Sequence, residues 1–284
     1  MELQQYLGQF RKQGLNIFSI SYDSVAILAD FAERKNITFP LLADPQSEII
    51  RAFGVLRTNW VPKDPSWNGA ALAVTLIVDR NGIVRSKYFA EQSLERYSVP
   101  TVLLREFGSV AGTRETSVKT DQLELKYYST SDVVRANLHL TLVADFDLKP
   151  KMHVYAPEVQ HYIPLQITLD PSPYYAALPA EYPKPELLYL APIQETVPVY
   201  QGKFRITQDI TIVGVNALEP VMAGKREIRI RGQLRYQVCD DKICYLPQNT
   251  PVEWLLKAQP LDEQRSPEAI QRRAPPQDKK EISR

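Results

Sequence analysis

The sequence predicts an α/β domain followed by an all-β sandwich of immunoglobulin-like type. Three observations predict this. Segments of helical period alternate with strand-like runs before residue 108, period-two alternation of apolar and polar residues dominates after it, and a small polar stretch, GSVAGTRETSVKTD, lies between. A length of 284 residues exceeds what one core usually serves, which agrees with two domains.

In the first domain, residues 1–14 read as a helix, with Leu3, Tyr6, Leu7 and Phe10 on one face and Gly14 as its end. LNIFSISYD reads as a buried strand. Ser24 is the expected N-cap of a helix that buries Ile27, Leu28 and Phe31. ITFPLLADP leads into a short helix near residues 47–53, and LAVTLIVDRNGIVRSKYF reads as two strands turning at Asn81-Gly82. A helix over residues 93–104 closes the domain, which the sequence bounds at 1–107.

Residues 108–118 read as a linker. Within 119–257, ANLHLTLVADF, IPLQITL and REIRIRGQLRYQV alternate apolar and polar residues and are separated by Pro-rich loops, as in an antiparallel sandwich. Residues 258–284 carry mixed charge and little to bury, so they read as a disordered tail.

Composition narrows the function classes. With 44% hydrophobic residues and a formal charge of +1, nothing calls for nucleic acid or an anionic membrane surface. Twenty-two prolines against 11 glycines fit fixed loops and edge strands. No apolar run reaches bilayer length, and the first residues do not read as an export signal. No phosphate-binding glycine loop or Ser/His/Asp constellation occurs, and no cofactor is expected.

QLRYQVCDDKICYLPQ holds Cys239 and Cys244, the only two cysteines. In residues 227–238, Ile228, Ile230, Leu234, Tyr236 and Val238 take one phase and Cys239 continues the other, so its sulfur is expected to point away from the core and be reachable. DDKI can form a four-residue hairpin loop that places the pair about 4.5–5.5 Å apart at Cα, within disulfide range. Such a bridge closes a loop worth only about 2 kcal/mol in the chain-entropy model, a weak staple. A structural disulfide, two free thiols and an exchanging pair all fit this spacing. Zinc does not, since no nearby histidine completes a ligand set.

His139, His153 and His161 read as surface or hydrogen-bonded side chains, Tyr174 and Tyr175 as loop aromatics covering one end of the sandwich, and the arginines of RIRGQLR as a solvated face.

Two resemblances add to this. QGLNIFSISYDS, FAERKNITFPLLADPQSEIIRAFGV and TLIVDRNGIVRSKYF resemble the AhpC/TSA peroxiredoxin family over residues 1–105, which implies a thioredoxin-like fold. That family carries a peroxidatic cysteine at the N-terminus of a helix, where the dipole favours a thiolate. Here that helix would be residues 1–14, and no cysteine precedes Cys239. The domain is therefore expected to be an incomplete redoxin without its first strands: either an upstream segment is missing or the module is a scaffold. Peroxidase activity is not expected of it.

LKPKMHVYAP, VPVYQGKFRI and YQVCDDKICYLPQ resemble the N-terminal periplasmic domain of the thiol:disulfide interchange protein DsbD, over residues 115–257. The resemblance implies that Cys239 and Cys244 are a catalytic redox pair, that Tyr200 and Gly202 lie in a loop capping it, and that Tyr245 flanks it. It also implies partners of thioredoxin-like type or a membrane thiol:disulfide electron donor, in the periplasm or another extracytoplasmic compartment; from charge and ligand spacing neither nucleic acid nor metal is expected. The acidic residues expected before the cap aromatic are replaced by Val197 and Pro198, leaving Glu195 as the nearest acid. The expected function is a thiol–disulfide electron relay. A peroxidase with a missing N-terminus and a non-catalytic interaction module with a structural disulfide are the rivals.

Overall fold

The computed structural model describes residues 2–57, 68–89, 95–108, 114–191 and 194–271. The chain divides into two compact units, Met1–Val99 with Asp262–Arg284, and Pro100–Leu261.

In the first unit, α1 (Glu2–Lys12) buries Leu7 and Phe10. β1 (Ser19–Ser21) pairs in parallel with β2 (Leu41–Ala43), and α2 (Val25–Lys35) connects them. Ser24 caps α2, its Oγ accepting the Ile27 N–H at 3.4 Å, and Asn36 ends it in the left-handed region at φ 50°. α3 (Glu48–Ala52) begins where Asp44, only 5% exposed, accepts the N–H groups of Glu48 and Ile50, both at 2.9 Å. β3 (Val74–Val78) and β4 (Val84–Phe89) form the expected hairpin. Its turn is held by Asp79, which accepts the N–H groups of Asn81 and Ile83 at 2.9 Å, and by Gly82 at φ 79°. β5 (Arg96–Tyr97) follows. Of the run LNIFSISYD only the three residues facing β2 are paired, because the partner strand is equally short.

In the second unit the order is α4 (Val99–Phe107), β6 (Thr116–Lys119), β7 (Leu123–Ser129), β8 (Val133–Val134), β9 (Leu138–Leu148), β10 (His153–Tyr155), β11 (Gln166–Leu169), β12 (Tyr175–Ala177), β13 (Glu186–Leu190), β14 (Glu195–Gln201), β15 (Lys203–Ile212), α5 (Val215–Ala223), β16 (Glu227–Tyr236), β17 (Val238–Cys239) and β18 (Gln248–Ala258). Three sheets result, with strand orders β12-β15-β9-β7-β6, β11-β16-β18-β8 and β13-β14-β10-β17. They share one core, in which Leu125, Leu140, Ile210, Ile230, Leu234, Tyr236 and Leu256 are essentially sealed from solvent. Burial along β16 alternates residue by residue, as its sequence predicts. Gly232 is required there: a Cβ would run into the Thr168 carbonyl of the neighbouring strand β11.

Three sequence expectations are revised. The helix assigned to 93–104 runs from Val99 to Phe107, and residues 93 and 94 lie outside the described residues. From Pro100 onward it belongs to the second unit, where Thr101 Oγ1 bonds Thr130 Oγ1 at 2.8 Å and Arg105 pairs with Asp209 at 2.6 Å. Of the linker 108–118, residues 116–118 are strand β6, and 109–113 lie outside the described residues. The expected disordered tail begins too early. Ala258 completes β18, and residues 262–271 are held in the first unit by Lys35, whose Nζ meets Asp262 at 2.6 Å and Gln264 at 3.0 Å. Residues 272–284 lie outside the described residues.

Candidate functional site

The two cysteines are bonded to each other, with Cα atoms 4.0 Å apart, across an isolated antiparallel bridge at the neck of a hairpin. The loop is organised by Asp240. Its Oδ1 accepts the N–H groups of Lys242 at 2.7 Å and Ile243 at 2.8 Å, and its Oδ2 accepts the Tyr245 hydroxyl at 3.1 Å. The Ile243 and Lys242 N–H groups hold the Asp240 carboxyl below the usual carboxylate range, and the Asp240 carboxylate in turn raises the Tyr245 phenol. Tyr245 also donates its N–H to the Val238 carbonyl at 2.9 Å, so the loop is tied down on both sides of the disulfide. In sequence Asp240 is only the first residue of the DDKI loop. In the structure it is a turn clamp of the Asx kind, as Asp79 is in the first unit.

The pair is asymmetric in its exposure. Cys244 is exposed at the surface, whereas Cys239 is 1% exposed. The phase read from the sequence holds, since Tyr236 and Val238 enter the main core while Cys239 lies on the other face. Its expected accessibility does not. β17 pairs with β10, which pairs with β14, so His153 lies opposite both Cys239 and Gln201, and Tyr155 lies opposite Val199. That face carries its own small cluster, in which Tyr155, Val197 and Val199 close over Cys239, with Val159, Tyr162, Leu188 and Leu190 packed around them.

Tyr155 is the aromatic that touches the sulfurs. Its hydroxyl is 3.7 Å from Cys244 Sγ and 3.8 Å from Cys239 Sγ, and because a disulfide has no proton the hydroxyl is the donor. Burial, and secondarily the Glu195 carboxylate, push its phenol up. The Tyr155 ring stacks on Tyr162 with centroids 4.5 Å apart, and Tyr162 donates to Glu195 Oε2 at 2.6 Å. That hydrogen bond pushes the Tyr162 phenol up to about 12. Glu195, read from sequence as the acid nearest the cap, thus bonds Tyr162 and also raises the Tyr155 phenol by its charge. Neither tyrosine was singled out in the sequence as a site residue, although the alternation of HVY places residues 153 and 155 on one face.

Tyr200 and Gly202 are placed differently from a capping loop. Tyr200 lies within β14, faces the main core, stacks on Phe204 with centroids 4.9 Å apart and donates to the Pro183 carbonyl at 3.0 Å. Gly202, at φ 57°, makes the tight turn from β14 to β15.

His153 is 1% exposed, and neither ring nitrogen has a hydrogen-bond partner among the described residues. Its ring meets Tyr155 edge to face, with centroids 5.5 Å apart. Burial pushes the imidazole below its ordinary value, while the nearby Asp241 and Asp240 carboxylates oppose the shift. His139 is instead satisfied, its Nδ1 lying 2.8 Å from Thr211 Oγ1. Tyr174 and Tyr175 pack against the main core. The arginine row is ion-paired, with Arg229 and Arg231 meeting Glu253 at 3.0 and 2.8 Å. Among the described residues no three His, Cys, Asp or Glu side chains gather as a metal would need.

Comparison with known proteins follows the division of the chain. Residues 1–87 match the AhpC/TSA family, and residues 125–255 match the family described as thiol:disulfide interchange protein DsbD, N-terminal. These stretches lie within those on which the two resemblances rest, and the second is a match to a domain of a thiol:disulfide interchange protein. Two provisionally named peroxiredoxins, from two strains of Mycobacterium tuberculosis, are each 46% identical over 48 residues, 17% of this chain and 31% of theirs. The chain thus spans about a third of the length of the curated relatives it matches. Among solved structures, the N-terminal periplasmic domain of ScsB from Proteus mirabilis aligns with 12% identity and a TM-score of 0.37, over 51% of this chain and 52% of that one. The reduced N-terminal domain of DsbD from Neisseria meningitidis aligns with 16% identity and a TM-score of 0.27, over 39% of this chain and 74% of that one.

Proposed function

We propose that the second unit is a thiol–disulfide oxidoreductase that relays electrons through Cys239 and Cys244. It takes them from a dithiol donor, such as a membrane thiol:disulfide protein, and gives them to thioredoxin-like acceptors in an extracytoplasmic compartment. The observation that carries this reading is the asymmetry of the disulfide, with one sulfur at the surface of a clamped hairpin and the other beneath Tyr155. A bridge closing so short a loop stabilises the fold by only about 2 kcal/mol, which argues against a purely structural role. Compartment is supported by the disulfide itself, which persists where thiols are not kept reduced. We read the unit as an immunoglobulin-like sandwich, on the support of its sheets sharing one core, antiparallel throughout save for the short β8–β18 pairing.

In this reading the donor thiolate attacks Cys244 Sγ, the accessible atom. A mixed disulfide forms, the Cys239–Cys244 bond breaks, and Cys239 leaves as a thiolate beside the Tyr155 hydroxyl. The donor's second thiol then displaces Cys244 and completes the reduction. Passing electrons onward reverses these steps, with Cys244 attacking an acceptor disulfide and Cys239 resolving it. Residues 1–87 contain no cysteine, so no peroxidase chemistry is assigned to them.

Equilibration of the full chain in defined glutathione buffers, read by mass after alkylation, tests the proposal. A midpoint in the range of known thioredoxin-like couples, roughly −120 to −270 mV, supports a relay. A midpoint below about −300 mV rejects it in favour of a structural bridge.

A further inference from the structure

We propose that His153 is the proton acceptor and donor for Cys239 during exchange. The inference rests on the relay reading and assigns a role that the fold alone does not explain. A buried imidazole with neither nitrogen hydrogen-bonded loses its hydration without compensation. The described residues return nothing for it, since His153 is 1% exposed and orphaned at both nitrogens.

The residue directly across the ladder from His153 is Cys239. His153 and Cys239 are directly opposed in the antiparallel register of β10 and β17, on the face that also carries Tyr155. Directly opposed side chains have Cβ atoms only about 4.5–5.5 Å apart. In the disulfide, Cys239 has no proton to give and is a poor acceptor, so the ring has no partner in this redox state. Reduction creates one, because Cys239 then holds either a thiol or a thiolate. The titratable and charged groups facing the ring are Tyr155 on its own strand and Asp240 and Asp241 of the cysteine loop, and Gln201 opposite on β14 is uncharged. Burial holds the ring below its ordinary value, so it rests neutral with a nitrogen free to accept, and the two aspartates partly offset the cost of charging it.

When the reduced domain passes electrons on, Cys244 is first joined to the acceptor sulfur. The Cys239 thiol gives its proton to the free ring nitrogen of His153. The resulting thiolate uses its electron pair to form the Cys239–Cys244 bond, and the bond from Cys244 to the acceptor sulfur breaks, its pair leaving on that sulfur. The imidazolium then releases its proton to the departing thiolate or to water. In the opposite direction His153, as the imidazolium, protonates Cys239 as it leaves. Buried in an apolar cluster, that thiolate would otherwise be held at high energy.

The test uses the reduced full chain and the aromatic disulfide 5,5′-dithiobis(2-nitrobenzoate), with thionitrobenzoate release followed in a stopped-flow instrument. The first phase reports Cys244 attacking the reagent, and the second reports Cys239 closing onto Cys244. Replacement His153→Gln is expected to slow the second phase at pH 6.5 by ~100-fold, the lower end of general-base effects, and to make it climb tenfold per pH unit until the thiol itself ionises. The first phase should stay within about twofold of the parent. A second phase with the parent rate and pH profile overturns the inference. Failure of the parent protein to show any reaction rejects instead the relay on which it rests.

Should His153→Gln fail to fold, the C244S variant of the parent provides an independent readout. There the ultraviolet absorbance of the Cys239 thiolate and the His153 ring proton resonances must titrate together. Independent titrations overturn the proposal.

Discussion

Removing the Tyr155 hydroxyl isolates the contribution of the aromatic lid to opening of the disulfide. In the resting state the hydroxyl sits 3.8 Å from Cys239 Sγ and 3.7 Å from Cys244 Sγ, and sulfur in a disulfide is a weak acceptor, so little stability is lost. As a nucleophile attacks Cys244, negative charge grows on Cys239, which has only 1% exposure and so almost no water to receive it. A hydrogen bond to a charged group contributes about 1.5–3 kcal/mol, and with roughly half the charge developed at the transition state the loss is about 0.7–1.5 kcal/mol. Tyr155→Phe should therefore be reduced by dithiothreitol roughly 3- to 12-fold more slowly than the parent, with the ring stacking on Tyr162 retained. The assay is rapid acid quenching, alkylation and mass analysis at several dithiothreitol concentrations, giving a second-order rate constant. An unchanged or faster rate, in a variant with parent-like denaturation, refutes the idea that Tyr155 stabilises the leaving sulfur.

Two further outcomes are expected. In the reduced protein, iodoacetamide should modify Cys244 at least ~10-fold faster than Cys239, read by peptide mapping, since one is exposed and the other sealed beneath Val197 and Val199; equal rates would show that the cover opens freely. Gly232→Ala should lower stability by about 1–3 kcal/mol in urea titration, because the added methyl meets the Thr168 backbone and β11 must shift away from β16.

Much of this arrangement was legible in the sequence where local rules govern. The alternation through residues 227–238 places Tyr236 and Val238 in the core and Cys239 on the opposite side, and β16 follows it without a slip. Ser24 and Asn81-Gly82 do what their turn chemistry implies. What could not be read is the cover over Cys239. It depends on residues 153–155 lying between residues 199–201 and 238–239, and no local pattern specifies which strands become neighbours across such separations. For the same reason Tyr200, an aromatic next to a glycine turn, read as a cap, although its strand register turns it into the main core. His153 read as an ordinary polar side chain, since burial of one histidine among strands has no sequence signature. The polar composition of residues 262–271 concealed a segment held by ion pairing and hydrogen bonds to Lys35, which needs no apolar face.

The Asp240 clamp has a consequence for how the ring of atoms around the disulfide reopens and recloses. Because the turn is fixed by carboxylate–backbone hydrogen bonds that do not involve sulfur, severing the bridge leaves the hairpin neck in place. Each thiol then experiences the other at a very high effective molarity, as a reactant tethered in the correct orientation rather than one that must be found by diffusion. In the proposed relay, a mixed disulfide at Cys244 would accordingly be short-lived, and a partner would leave promptly instead of being trapped as a covalent adduct.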